Sequence, residues 1–402
     1  MHTRLAAVST ALVAILFASC APAPQAESSP SEEPIATTNV RVESQGPSAE
    51  PTPTAPAVPA CSAVAQGLPL EQRVGQLYMV GASTQGLDEA TRQAVTSGSL
   101  GWVLLLGTTD AGVQAVSELT AELTGLDAGP VPLVVAVDQE GGEVQRLQGE
   151  GFSTIPAAVS QAELGSDELR EAAYGWGREL GNAGVLFDLA PVADVVPPEK
   201  QESNQPIGAL GRNYGTSVQV TSAAVTSFVT GMHDAGIATS LKHFPGLGQV
   251  VENTDEQGAV DTDVSPGDPD WASFVAGIDA GASSVMISSA VFGNIDPDNQ
   301  AVFSSQIITD ILRGELGYEG IVISDDLGAA GSVSDVPPAD RGVRFIAAGG
   351  DIVINADPSI MAEMTQATVA KAESDPDFAA QVDAAAGRVL ELKAWLGQVD
   401  CS

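Results

Sequence analysis

Two short stretches of this chain carry reactive groups at spacings that suit chemistry on an acetal. Lys242-His243-Phe244-Pro245-Gly246-Leu247-Gly248-Gln249 runs on to Asn253-Thr254-Asp255, so a cation, an imidazole and a carboxylate share one loop shaped by proline and glycine. Ser324-Asp325-Asp326-Leu327 leaves a further carboxylate at the C-terminal tip of an apolar run. Two carboxylates on separate loops above one barrel are what glycosidic bond cleavage needs. One works on the anomeric carbon and the other exchanges a proton with the departing oxygen.

Such loops need a frame, and the intervening sequence supplies one. Short apolar runs cover residues 77–81, 101–106, 131–137, 185–191, 237–242, 284–289, 320–324 and 351–355. Most are nearly continuous and rich in β-branched residues, as in strands buried on both faces of a parallel sheet. Between them lie amphipathic stretches over 110–123, 166–182, 217–235 and 305–316, the last with Ile307, Ile308, Ile311, Leu312 and Leu316 on one face. Gly184, Gly236, Gly281 and Gly317 stand where helices should end in a left-handed cap. Eight β/α alternations in about 340 residues predict an α/β fold, a single TIM-type (β/α)8 barrel over residues 61–402; a doubly wound open sheet is the alternative. A last helix over 379–396 is expected outside the barrel, returning Cys401 towards the start. In a barrel, chemistry belongs at the strands' C-terminal ends. The polar residues of Asp138-Gln139-Glu140, Asp194, Lys242-His243 and Asp325-Asp326 all follow apolar runs.

The first nineteen residues lie outside this frame. Arg4, an apolar core from Leu5 to Phe17 and Ala18-Ser19 ahead of Cys20 form an export signal with a lipoprotein-type cysteine. Residues 21–60 hold nine of the twenty-five prolines and no aromatic residue. That composition cannot bury enough apolar surface to offset its ordering entropy and is expected to act as a tether. It would link the lipidated Cys20 to a catalytic unit on the outer face of the cytoplasmic membrane, facing the cell wall. Only Cys61 and Cys401 then remain, at the two ends of the folded part, and in an oxidising compartment they are expected to pair; two free thiols are the alternative. A formal net charge of −36 argues against nucleic acid as a partner. No metal-ligand pattern and no nucleotide loop in a strand–helix setting is visible, so no cofactor is expected; a monomer is.

Taken in order, five segments resemble the glycoside hydrolase family 3 β-N-acetylglucosaminidases. They are Leu70–Leu77, Asp138–Arg146, Ala190–Val195, Lys242–Gly246 and Ser324–Leu327. The resemblance spans roughly residues 62–397, and Asn253-Thr254-Asp255 fits the lipid-anchored actinobacterial members. It implies a retaining exo-enzyme that removes terminal N-acetylglucosamine from cell-wall fragments or related oligosaccharides, with no second catalytic domain. It also implies Asp325 as nucleophile, and Asp138, Arg146, Arg212, Lys242 and His243 as ligands of the terminal sugar. Asp326 is given a structural role, capping the next helix or holding Asp325. His233, near the end of a helix, is expected at the opposite rim and outside the chemistry.

The sequence departs from the family at one decisive place. Members commonly carry Asp-Ser-His in the fifth loop, with histidine as general acid/base. Here the triplet is Asn253-Thr254-Asp255, and the three histidines of the chain, His2, His233 and His243, all stand elsewhere. The resemblance therefore passes the role to Asp255, with Glu252 and Glu256 as alternatives on the same loop. An anionic acid/base would repel phosphate in the second step and favour water. Two other readings remain open: a family 3 β-glycosidase for another sugar, and a sugar-binding lipoprotein that has lost catalysis.

Overall fold

The computed structural model describes residues 60–402; the leader, Cys20 and the tether up to residue 59 lie outside the described residues. Ala60, expected as the last tether residue, instead opens the first helix, Ala60–Gln66. Eight parallel strands close into a barrel. They are β1 (Tyr78–Ser83), β2 (Trp102–Leu106), β3 (Val134–Val137), β4 (Phe187–Asp188), β5 (Ala238–Phe244), β6 (Ser284–Ile287), β7 (Ile321–Asp326) and β8 (Ile352–Asn355). Each pairs with its neighbour in sequence, and β1 with β8 completes the ring. The architecture is the expected (β/α)8 barrel rather than an open sheet.

Burial explains the composition of the strands. Val134, Val135, Ala136 and Val137 of β3 are at most 1% exposed, because barrel interior and helical shell cover both faces. β4 is shorter than its apolar run: past Asp188 the ladder is interrupted at Pro191, which has no N–H to donate, and resumes as an isolated Val192–Lys242 bridge. The Ser166–Asn182 helix buries Leu169, Ala173, Trp176 and Leu180 along one stripe. The 306–315 helix buries the expected Ile307, Ile308, Ile311 and Leu312, yet it is wound with wider i→i+5 hydrogen bonds such as Leu316 N–H to the Ile311 carbonyl. Gly184 and Gly236 adopt φ of 77° and 79°, the left-handed caps that turn the chain into β4 and β5.

The last helix, Pro376–Trp395, does more than lie against the shell. Near its end, buried Lys393 reaches under the barrel floor, where Nζ donates to Gln76 Oε1 (2.7 Å), the Gly101 carbonyl (2.9 Å) and the Pro132 carbonyl (2.7 Å). Asp351, just before β8, takes Arg313 and Arg388 at the same pole. Beyond it Cys401 is disulfide-bonded to Cys61, with Cα atoms 4.9 Å apart, so the two ends of the described chain are clasped together. His233 lies at this pole too, its ring stacked on Trp395 at 4.6 Å. No described helix is long and apolar enough to cross a membrane.

Candidate active site

At the other pole the strand tips surround a cavity of about 370 Å³ lined by Asp138, Arg146, Arg212, Lys242, His243, Asp255 and Asp325 among others. All seven sugar-binding and catalytic residues expected from the sequence therefore meet in one place. Apolar Leu104, Leu106, Met286 and Ile354 line the same cavity.

Its β3–β5 side is a network of buried charges. Lys242, 2% exposed at the end of β5, places Nζ 2.6 Å from both Asp138 Oδ1 and Glu140 Oε1. Arg212 grips Glu140 with two parallel bonds, Nε at 2.9 Å and Nη2 at 2.7 Å. Burial alone would raise the Glu140 carboxyl, but the charges and hydrogen bonds of Arg212 and Lys242 outweigh it and hold the group well below the usual carboxylate range. Burial would likewise lower Lys242, yet Asp138 and Glu140 raise it, so it remains a cation. Asp138 and Glu140 are two residues apart and share Lys242 as partner. Beneath them Asp188 accepts the Gln139 N–H on one oxygen (2.9 Å), and its other oxygen has no partner. Burial, aided by Asp138 and Glu140 and opposed by the Gln139 bond and Lys242, pushes its carboxyl up to about 8.

His243 is fixed by Asp194. The fully buried carboxylate lies 2.8 Å from Nδ1, and it also accepts the His243 N–H (3.2 Å) and the Leu247 N–H (2.7 Å). One acid thus sets both the ring and the backbone of the loop that follows β5. Arg146 lines the cavity without an ion-pair partner among the described residues, which leaves its guanidinium for a ligand.

The β5–β7 side is built differently. Asp325 stands at the tip of β7, with Oδ1 accepting the Asp326 N–H (2.9 Å) and Oδ2 facing Ser289 Oγ (3.4 Å). Burial pushes its carboxyl up to about 6; His243 opposes the rise and Asp255 adds to it. Asp326 has the expected structural job, its carboxylate capping Gly328 N–H (2.7 Å), Ala329 N–H (2.9 Å) and Ala356 N–H (2.8 Å). In the loop after β5, Asn253, Thr254 and Asp255 line the cavity, whereas Glu252 and Glu256 do not. Of the three acids weighed for proton transfer, Asp255 alone lines the cavity.

Glu140 and Asp194 stand inside the motifs, and the sequence assigns neither a role. The signal that could have found Glu140 is its i, i+2 relation to Asp138 across an extended segment. Asp194 gave none beyond being an acid at the end of an apolar run. Among the described residues no cluster of His, Cys, Asp and Glu is arranged to hold a metal ion.

Comparison with known proteins finds relatives of the whole described barrel. Residues 69–392 match the family model of the glycosyl hydrolase family 3 N-terminal domain. A beta-hexosaminidase of Xanthomonas campestris pv. campestris (strain B100) is 34% identical over 306 residues, covering 73% of this chain and 88% of that protein. The crystal structure of a β-N-acetylhexosaminidase from Beutenbergia cavernae superposes with a TM-score of 0.79 at 48% identity, over 81% of this chain and 99% of that one. A family 3 β-N-acetylglucosaminidase from Paenibacillus sp. str. FPU-7 follows at 0.74 and 29%, over 82% and 63% of the two chains.

Proposed function

Because the chain belongs to glycosyl hydrolase family 3, we propose that its barrel hydrolyses terminal β-linked N-acetylglucosamine by a retaining, two-step route through Asp325. It is a glycoside hydrolase, and the β-N-acetylhexosaminidase names of its relatives support the sugar. The observation that carries the route is the meeting of Asp325 with Asp255 in one cavity gripped by Asp138, Arg212, Lys242 and His243.

In the first step an Asp325 carboxylate oxygen bonds to the anomeric carbon as the glycosidic C–O bond breaks. The Asp255 carboxyl gives its proton to the departing oxygen. In the second, Asp255 takes a proton from water, whose oxygen attacks the anomeric carbon and frees Asp325. Asp138 accepts from sugar hydroxyls, while Lys242, Arg212 and Arg146 donate to sugar oxygens. The cavity lies at the small end of ligand-pocket volumes, which suits a single terminal residue and exo action. Cell-wall fragments are the proposed natural substrate. Lipidation at Cys20 is the proposed anchor, on the ground of the apolar leader and Ala18-Ser19 ahead of that cysteine.

A chromogenic aryl β-N-acetylglucosaminide tests the reading, with product anomer followed by NMR against the matching β-glucoside and β-xyloside. Turnover of the acetamido sugar with retained β configuration is expected. Preference for another sugar, an inverted product, or binding without turnover contradicts it. Comparing muramyl-containing fragments with chitobiose then separates the proposed substrate classes. Cys20→Ala should release the protein from membranes with unchanged activity in solution.

A further inference from the structure

The loop that carries Asp255 is held by the segment that follows the nucleophile strand. Gly331 N–H donates to the Asp255 carbonyl (2.9 Å) and Ser332 N–H to the Thr254 carbonyl (3.2 Å). A side chain at Gly331 would overlap the Glu256 carbonyl and the Gln257 backbone, so the close approach depends on glycine there. From the same segment Ser332 Oγ bonds Ser289 Oγ (2.9 Å), and Ser289 Oγ reaches Asp325 Oδ2 at the long end of hydrogen-bond range, 3.4 Å. Gln300 Nε2 fixes the Ser332 carbonyl (2.6 Å). The segment is itself stiff at its start, where Asp326 caps two of its N–H groups and buried Arg341 holds the Leu327 and Gly328 carbonyls.

We propose that Gly331 and Ser332 are positioning residues: a backbone clamp that sets the height of the acid/base loop over the nucleophile, with the Ser332–Ser289 hydroxyl pair registering the clamp against Asp325. This rests on Asp255 as the acid/base. The clamp acts through main-chain contacts because the loop offers few side-chain anchors. Asp255, Glu256, Gln257 and Gly258 are all exposed, and Thr254 is the buried exception. Proton transfer demands heavy atoms within hydrogen-bond reach, and displacement by about 1 Å can cost on the order of 10²-fold. The two clamp bonds therefore bear on the proton transfers of Asp255 and spare formation of the glycosyl-enzyme from a leaving group that needs little acid help.

The test compares kcat/KM on chitobiose, whose sugar leaving group needs a proton, with that on an aryl glycoside whose leaving group needs little. Gly331→Ala should lose about 10–100-fold on chitobiose and less than about threefold on the aryl substrate. Ser332→Ala should shift the ratio the same way by a few-fold, and Ser332→Thr, which keeps the hydroxyl, should restore it. Thermal unfolding of each variant accompanies the kinetics, and Ser332→Ala guards against a Gly331→Ala protein that does not fold. Parallel losses on both substrates, or no change in the ratio for either variant, overturn the clamp. Asp255→Ala run alongside separates the two layers. If it is selective for chitobiose while the clamp variants are not, the clamp alone falls; if it is not selective, the assignment of Asp255 falls and the clamp with it.

Discussion

Lys393 and Lys242 are both buried lysines at the mouths of one barrel, and they do opposite work. Lys393, at the N-terminal mouth, spends its three donors on three neutral oxygens, those of Gln76, Gly101 and Pro132, with the Trp102 ring 4.9 Å away. Lys242, at the C-terminal mouth, faces two carboxylates, Asp138 and Glu140, and lines the cavity with a donor left over. The local fields follow: burial pushes the Lys393 ammonium well down, whereas the two acids overcome burial and raise Lys242. A cation whose donors are all taken closes a floor. One with a spare donor and a fixed charge can bind a ligand.

The largest effect that would sharpen this contrast belongs to the reacting group itself. Asp325→Ala should lower kcat by about 10⁴-fold or more with little change in thermal stability, since it removes the covalent route and no packing anchor. Asp326→Ala, losing three capping bonds, should show itself mainly in Tm. Near-normal turnover by Asp325→Ala would remove it from the mechanism. Next comes Lys242→Met, expected to lower kcat/KM by about 10²-fold, the worth of a charge-assisted bond to substrate together with Asp138 left unpaired and Glu140 held by Arg212 alone. Lys393→Met should instead cost about 1–3 kcal/mol of stability in a denaturant melt and leave kcat/KM within about twofold. If the two lysine variants changed places in these measurements, the contrast between the poles would be wrong.

A smaller, graded effect concerns pH. Asp325 must be ionised to attack, and burial holds its carboxyl up at about 6. On an aryl glycoside, whose leaving group needs little proton donation from Asp255, activity should therefore reach a plateau above that value and fall as pH drops through it, giving an acidic limb of kcat/KM near pH 6 that Asp188→Asn leaves in place. A limb near pH 4 would mean that Asp325 is less buried in solution than its place at the tip of β7 implies.

Legibility in the sequence followed the same division. The eight strands, the glycine caps and the Cys61–Cys401 pair could be read because each depends on local pattern or on position at the chain ends. The cavity positions of Asp138, Lys242, His243 and Asp325 could be read because they end or follow apolar runs in segments that resemble a family, whereas Arg146 and Arg212 were implied by the resemblance alone. Lys393 could not be: a lone lysine on an amphipathic helix looks like a solvated one until the helix end turns under the barrel floor. Glu140 and Asp194 sat inside quoted motifs, yet their partners, Arg212 and His243, lie 72 and 49 residues away. The clamp at Gly331 and Ser332 is made largely of main-chain bonds, which no side-chain pattern displays.

The most direct test of the mechanism is turnover by Asp255→Ala with and without azide. Without a proton donor, chitobiose hydrolysis should fall by about 10²–10⁴-fold. An activated aryl glycoside should still form the glycosyl-enzyme and stall at its hydrolysis. Azide, an anion that needs no base, should then restore turnover and yield the β-glycosyl azide, while the acidic limb due to Asp325 survives. Wild-type rates on chitobiose, or no azide product from a slowed enzyme, would contradict a carboxylate at position 255 as the acid/base.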